Sequence, residues 1–92
     1  MLQIVKDYLK ITWGDEDAGL TDLISRGQEY LNNLVGAELN FEEALPCSLL
    51  LDYCRYAYNN AIEYFEDNFQ KEILRLQLQT AAAELAAAEA EA

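Results

Sequence analysis

Few side chains in this sequence are of the types that carry out chemistry, and they do not form catalytic patterns. The chain contains no histidine, so the commonest general base near neutral pH and the commonest metal ligand are both absent. Ser25 and Ser48 have no base motif nearby, and the thiols of Cys47 and Cys54 have no histidine partner to activate them. A glycine-rich phosphate loop is also missing. We therefore expect no catalytic residue, no metal site and no cofactor.

Carboxylates are the remaining candidates for chemistry, since paired acids can act as general acid and base. Glu63, Glu66 and Asp67 lie close in sequence, but a solvated helix face explains them more simply, and Asp67 is spaced to pair with Lys71. The acids at 15–17 are not followed by the alternating ligands, central glycine and closing glutamate of a calcium loop. The sequence predicts a protein that is not an enzyme.

The two cysteines, Cys47 and Cys54, lie on one predicted helix and cannot form a disulfide with each other. Seven residues of α-helix separate their Cα atoms by roughly 10 Å, whereas a disulfide needs about 7 Å or less. Both fall on the apolar face of that helix. We predict buried free thiols, which agrees with a reducing compartment.

Composition limits the class of protein. The 92 residues make one domain, and a chain of this size buries only about 60–65% of its unfolded surface, so a 52% hydrophobic content favours assembly. The net charge of −11, with only six Lys and Arg, disfavours binding to nucleic acid or anionic membranes. With no apolar run of spanning length and no signal peptide pattern, we expect a cytoplasmic protein unless it is packaged into something larger.

The spacing of apolar residues predicts an all-α fold: a small bundle of about four helices, with a long central helix and an extended C-terminal helix. The first helix covers residues 1–9. The second begins at a Thr12 cap and ends at Val35, where Gly36 suits the left-handed residue that closes a helix. Asn40 caps one turn, and the main helix then runs unbroken from Pro46, its first residue, to about residue 68.

Glycine inside the second helix indicates a close contact. Gly27 costs about 1 kcal/mol relative to alanine in a helix interior, yet it lies on the apolar face of this helix. Close approach of another helix is a physical reason for it. On the opposite, polar face, Asp22 and Arg26 are spaced for a surface ion pair.

The main helix is apolar on two sides, which predicts that it is buried by its own domain and by a neighbouring copy. One wide stripe contains Cys47, Leu50, Leu51, Cys54, Ala57, Tyr58, Ala61, Ile62 and Phe65. The flank contains Leu49, Tyr53, Tyr56 and Tyr64. Tyrosine is favoured where its hydroxyl group remains in contact with solvent while the ring is buried, as at protein interfaces. We predict that these four flank residues form subunit contacts.

After Asn68 the composition changes. A last helix is predicted to about residue 80, after which the alanine- and glutamate-rich residues 81–92 have high helix propensity but little to bury. We divide the chain into a helical domain of residues 1–80 and a tail of residues 81–92. The tail is either a frayed helix that projects from the domain or disordered.

Several segments together resemble the head–tail connector proteins of long-tailed bacteriophages. They are Val-Lys-Asp-Tyr-Leu-Lys-Ile at 5–11, Asp-Glu-Asp at 15–17, Leu-Ile at 23–24, Tyr-Leu at 30–31, Tyr-Asn-Asn-Ala at 58–61 continuing through 63–65, and Ile-Leu-Arg-Leu-Gln-Leu at 73–78. The resemblance spans roughly residues 2–80, and its motifs are structural. The tail after Thr80 and the two cysteines depart from the family's pattern.

The resemblance implies a structural role in virion assembly. Such connectors are small helical adaptors that form a homo-oligomeric ring beneath the portal protein of a DNA-filled head. The ring continues the channel used in DNA packaging and docks the next connector or a tail-completion protein. The implied place is the head–tail junction of the virion, after synthesis in the bacterial cytoplasm, with DNA passing through unbound. Residues Ile73, Leu74, Arg75 and Leu78 are the predicted portal-docking residues.

A second hypothesis fits the same composition. A small acidic regulator, such as an inhibitor or DNA mimic acting as a monomer or dimer, would also be helical and negatively charged. The acids are scattered along the chain rather than ranked on one face, which is less suited to mimicry of DNA. The oligomeric state distinguishes the two hypotheses, because only the connector must form a ring.

Overall fold

The computed structural model describes the backbone of residues 1–91 and the side chains of residues 1–89. The five α-helices are α1 at Leu2–Leu9, α2 at Asp17–Val35, α3 at Ala44–Tyr58, α4 at Phe65–Asn68 and α5 at Gln70–Glu91. A single 3₁₀ turn, Ile62–Tyr64, precedes α4. No strand occurs within residues 1–91, so the all-α prediction is confirmed, with one short helix more than expected.

The connection between α1 and α2 is longer than the sequence predicts. Lys10 adopts a left-handed conformation with φ of 61°, which turns the chain off α1. Helix α2 begins only at Asp17, whose carboxylate lies 2.8 Å from the ammonium group of Lys6 in α1. The predicted cap at Thr12 is wrong, because this turn and the ion pair set the start of α2 further along the chain.

Helices α2 and α3 approach closely at Gly27, as predicted. A Cβ atom on this residue would lie 2.7 Å from Cδ1 of Tyr53 and 2.8 Å from Cδ1 of Leu50, both in α3. Such distances are shorter than any ordinary van der Waals contact, so the missing side chain is what allows the two helices to pack. Helix α2 ends at Val35, and the next residue, Gly36, has a φ of 79°, which confirms the predicted left-handed residue.

Helix α3 starts two residues earlier than predicted. The amide oxygen of Asn40 accepts a hydrogen bond from the backbone N–H of Glu42, which forms the expected turn. The first helical residue is Ala44, with Glu43 as N-cap, so Pro46 is the third residue of the helix and not the first. This position is tolerated because the first N–H groups of a helix have no intrahelical partner in any case.

The predicted unbroken helix from Pro46 to Asn68 is wrong, because the chain breaks after Tyr58. Asn60 is left-handed, with φ of 56°, and the side-chain N–H of Asn59 donates to the carbonyl of Arg55 at 2.8 Å. Asparagine tolerates the left-handed conformation that Asn60 adopts. The side chain of Asn59 supplies a donor to one of the backbone carbonyls left free at the end of α3. The break turns the following segment back onto the domain, and Phe65 is completely buried as a result.

The core lies between α2, α3 and the first half of α5, and α1 and α4 each contribute one residue to it. Its buried members are Val5, Ile24, Leu31, Leu49, Leu50, Cys54, Phe65, Ile73 and Leu76. Both cysteines are free, as predicted, with Cys54 buried and Cys47 half-buried.

Helix α5 is the longest helix and extends beyond the core. Ile73 and Leu76 anchor its first half in the core, and the side-chain N–H of Gln77 donates to the carbonyl of Leu34 at 2.9 Å. Instead of ending near residue 80, the helix continues to Glu91, with the side chains of residues 81–89 exposed. This length gives the chain its elongated extents of 51 × 25 × 17 Å. Residue 92 lies outside the described residues.

Candidate interaction surfaces

Five aromatic rings cluster where α2, α3, α4 and α5 meet. The ring of Phe65 stands at the centre, with centroid distances of 6.1 Å to Tyr30, 5.7 Å to Tyr53, 6.0 Å to Tyr56 and 5.1 Å to Phe69. The three tyrosines meet Phe65 edge-to-face, a favoured arrangement of aromatic pairs. This cluster depends on the break after α3, because a straight helix would carry Phe65 away from the other rings.

The four predicted subunit-contact residues do not share one environment. Leu49 is buried in the core of its own chain, and Tyr53 and Tyr56 are half-buried against it. The phenol oxygen of Tyr56 also accepts a hydrogen bond from Asn68 at 2.9 Å. Tyr64 alone is well exposed, at 57%. Contact with a neighbouring subunit stays a prediction for all four, and Tyr64 offers the most free surface for it.

Three tyrosines donate hydrogen bonds to carboxylates of other helices or loops. The pairs are Tyr8 with Asp52, Tyr30 with Glu66 and Tyr58 with Glu16. The pKa of Tyr30 is raised well above its usual value, mainly by burial and then by the bond to Glu66. For Tyr8 and Tyr58 the hydrogen bond itself is the main cause of a raised pKa. These phenols therefore act as neutral donors that tie distant segments together.

Trp13 and Tyr58 form an exposed aromatic edge that sequence reasoning missed. The indole N–H of Trp13 and the phenol of Tyr58 donate to the same Glu16 oxygen, at 3.0 Å and 2.9 Å. Both rings remain exposed. The spacing of Trp13 and Glu16 is a local signal that the sequence carried, but nothing in it indicated that Tyr58 would join them.

The outer face of α5 carries three exposed leucines. Leu74, Leu78 and Leu85 are exposed at 55%, 62% and 63% respectively. Of the predicted portal-docking residues, Leu74, Arg75 and Leu78 are exposed, but Ile73 is buried in the core. Ile73 therefore anchors α5 to its own domain and offers little free surface, and portal docking stays a prediction for all four residues. Leu85 follows Leu74 and Leu78 at helical spacing and extends the outer face, but it was not among the predicted docking residues because the tail was expected to fray.

Acidic side chains outnumber basic ones in this chain, 17 to six. Of the six basic residues, Lys6, Arg26 and Arg55 form ion pairs within the described part of the chain. The predicted pair of Asp22 with Arg26 is confirmed at 3.1 Å. The predicted pair of Asp67 with Lys71 does not form among these residues. Lys71 and Arg75, both in the first half of α5, remain available to an external partner.

The described residues hold no group of three or more side chains suited to a metal ion. Burial raises the pKa of the Cys54 thiol to about 11, so its reactive thiolate form is rare near neutral pH. In residues 1–91, helices that are both long and apolar enough to cross a bilayer do not occur. The features that stand out are surfaces for contact with macromolecules, namely Tyr64, the Trp13–Tyr58 edge and the leucines of α5.

Comparison of the chain with models of protein families, with curated proteins and with solved structures finds no match. Function is therefore inferred from these surfaces together with the sequence segments described above. An anchored helix with exposed leucines on its outer face can bind another protein without a pocket, by laying that face against it.

Proposed function

We propose that this protein is a structural head–tail connector of a phage or prophage, which forms a ring beneath the portal protein. The observation that carries the proposal is the form of α5. Its first half is anchored by Ile73 and Leu76, while Leu74 and Leu78 on the same turns point away from the core. A rigid body that presents exposed leucines on a long helix is suited to docking on a larger assembly.

Ring closure in this proposal uses a different surface, the 3₁₀ turn Ile62–Tyr64. Tyr64 is exposed directly after the break that follows α3, and Ile62 beside it is also exposed. A tyrosine and an isoleucine on a rigid turn form a compact apolar contact for the adjacent subunit. The aromatic cluster around Phe65 holds this turn in place, so the contact surface is preformed.

Negative charge fits the same proposal. A channel wall that DNA must slide past should not bind phosphates, and a net charge of −11 repels them. We further propose that some of the exposed carboxylates line this channel. In a ring visualised by electron microscopy, carboxylates located only on the outer rim would contradict this part of the proposal.

The proposal is tested by removing the gene from the phage or prophage that encodes the chain. We expect DNA-filled heads without tails, because packaging precedes connector docking and tail joining requires it. Complementation with Leu74→Glu should fail to restore tailed particles, whereas the matched control Gln79→Glu, at an exposed position of α5 off the leucine face, should restore them. Tailed, infectious particles in the absence of the gene would contradict the proposal.

A small acidic inhibitor or DNA mimic is the second candidate. The specific observation in its favour is the surface charge, since half of the few basic residues are already neutralised in ion pairs. This candidate requires a stable monomer or dimer that binds a basic partner, and it gives no tail defect on gene removal. The same deletion experiment therefore distinguishes the two functions.

A further inference from the structure

The exposed leucines of α5 form a regular row. Leu74, Leu78, Ala81 and Leu85 follow one another at intervals of four, three and four residues. At about 100° per residue, these four positions fall within an arc of about 60° on the helix surface. Ala81 is exposed like the leucines, so the row is free along its whole length. The alternation of four and three is the spacing of a seam between two packed helices.

The orientation of α5 leaves this row without a partner among the described residues of its own chain. Ile73 and Leu76 point into the core, and the bond from Gln77 to the carbonyl of Leu34 fixes the rotation of the helix. The centre of the leucine row then lies about 140° around the helix from the side that carries Ile73 and Leu76. The row points away from the core, where a second helix can lie against it.

Charge along α5 is asymmetric and selects one kind of partner. Its first half carries Lys71 and Arg75 with a single acid, Glu72, whereas the only charged residues of its second half are acids, at 84, 89 and 91. Lys71 and Glu89 have nearly the same angular position, on one flank of the leucine row. Two copies of α5 that run antiparallel therefore bring opposite charges together, whereas two parallel copies bring like charges together.

We propose that α5 pairs antiparallel with α5 of a second copy of this chain. The register places Leu78 of one copy against Ala81 of the partner subunit, and Leu74 against Leu85 of the partner subunit. Lys71 then faces Glu89 of the partner subunit on the same flank. The small side chain of Ala81 lets the two helices approach closely near the two-fold axis.

The shape of the chain is compatible with this pairing. The helical domain surrounds only the first half of α5, and the second half carries exposed side chains through Glu89. In an antiparallel pair, the free half of each helix lies beside the anchored half of the other, and the two domains lie at opposite ends. Three leucines and an alanine from each copy make an interface below the usual ~800 Å² per partner, so the dimer is weak and reversible.

This inference does not depend on the proposed function, because it concerns the purified chain alone. The row contains Leu74 and Leu78, which the proposed function assigns to the portal. A dimer of this kind would cover them before assembly and would have to dissociate on docking. Loss of tailed particles tests the connector, and self-association of the isolated protein tests the dimer.

Sedimentation equilibrium of the purified full-length chain over a range of concentrations tests the pairing. We expect a monomer–dimer equilibrium, with the association constant lowered tenfold or more by Leu78→Glu. Gln79→Glu adds the same charge to a neighbouring exposed position off the row and should leave the constant nearly unchanged. Leu85→Ser serves as a second variant if Leu78→Glu reduces the helical circular dichroism signal. A wild-type chain that stays monomeric, or row variants that associate like the wild type, would overturn the proposal.

Charge exchange tests the antiparallel direction. Lys71→Glu and Glu89→Lys should each weaken the dimer, because each places like charges opposite one another. The double variant carrying both changes should regain association, since it restores opposite charges with the signs reversed. A double variant weaker than either single variant would show that residues 71 and 89 do not face each other, which excludes the proposed register.

Discussion

The contact around Gly27 and the outer face of α5 represent opposite uses of helix packing in one small chain. At Gly27, α2 and α3 are so close that even a Cβ atom would meet Tyr53 and Leu50 at under 3 Å. Along α5, Leu74, Leu78 and Leu85 remain more than half exposed. The first region uses the absence of a side chain to complete a core. The second keeps large apolar side chains available to another molecule.

The comparison teaches that surplus apolar surface in this chain is not spread evenly. The break after α3 folds Phe65 and its neighbouring rings into the domain, so most of the aromatic surface is satisfied internally. The aliphatic side chains that remain most exposed, Leu74, Leu78 and Leu85, lie on α5, which extends past the core. Mutations in the two regions should therefore act on different properties, stability in one and association in the other.

The largest expected effect on stability is at Phe65. Truncation to alanine removes the completely buried centre of the aromatic cluster and should lower the free energy of unfolding by about 3–5 kcal/mol. Leu85→Ala removes a large apolar side chain from the outer row and should change that free energy by less than about 0.5 kcal/mol. Urea unfolding followed by circular dichroism measures both. Similar losses for the two variants would mean that the regions do not differ as described.

The next largest effect is at Gly27. Replacement by alanine forces the ring of Tyr53 and the side chain of Leu50 to move, at a cost of about 1–3 kcal/mol, partly offset by about 1 kcal/mol of helix propensity. At Gly19, in the same helix, a new Cβ would have no atom within 4 Å. Gly19→Ala should therefore raise the free energy of unfolding by about 0.5–1 kcal/mol. Thermal unfolding of Gly27→Ala and Gly19→Ala compares the two substitutions, and the difference in stability gives the cost of the contact at Gly27. A Gly27→Ala variant more stable than the wild type would contradict the close contact.

Sequence reasoning succeeded at Gly27 and failed at Asn60 for a physical reason. A glycine on the apolar face of a helix has a cost that only close packing offsets, so its position carries information about tertiary structure. Asn60 enters the left-handed region because its local contacts and the burial of Phe65 together favour a turn, and the helix pattern on both sides is unchanged by it. Without glycine or proline, the periodicity alone predicted one continuous helix.

The candidate surfaces were predicted only in part for a related reason. Tyr53, Tyr56 and Tyr64 are the same residue type at helical spacing, and a straight helix would present them together. The break gives them different surroundings, so Tyr53 and Tyr56 pack on the core and Tyr64 remains exposed. The shared face of Leu74, Leu78 and Leu85 follows from their helical spacing, but the exposure of Leu85 on a projecting helix depended on α5 continuing past residue 80.

A smaller effect is expected at alkaline pH, where the tyrosine–carboxylate bonds should be lost. The raised pKa of Tyr30 means that its stabilising contribution is complete below about pH 10, the usual value for a phenol. As pH rises above 10 the unfolded chain ionises first, so stability decreases. The free energy of unfolding of Tyr30→Phe, measured with urea, should decrease less between about pH 9 and 11 than that of the wild type. The exposed Tyr64→Phe serves as control, and equal pH profiles for the wild type and Tyr30→Phe would refute the assignment.

A small effect on stability is also expected for deletion of residues 81–92. The side chains of residues 81–89 are exposed, so a chain ending at Thr80 keeps Ile73, Leu76 and the bond from Gln77 to Leu34. Its free energy of unfolding, measured at low protein concentration, should lie within about 1 kcal/mol of the full-length value.

The same deletion removes Leu85 and Glu89 and should abolish the self-association proposed for α5. A shortened chain that loses several kcal/mol would mean that the outer half of α5 supports the domain, and one that still dimerises would place the contact elsewhere. Only a stable, monomeric product agrees with a helix whose first half completes the core and whose second half serves a second molecule.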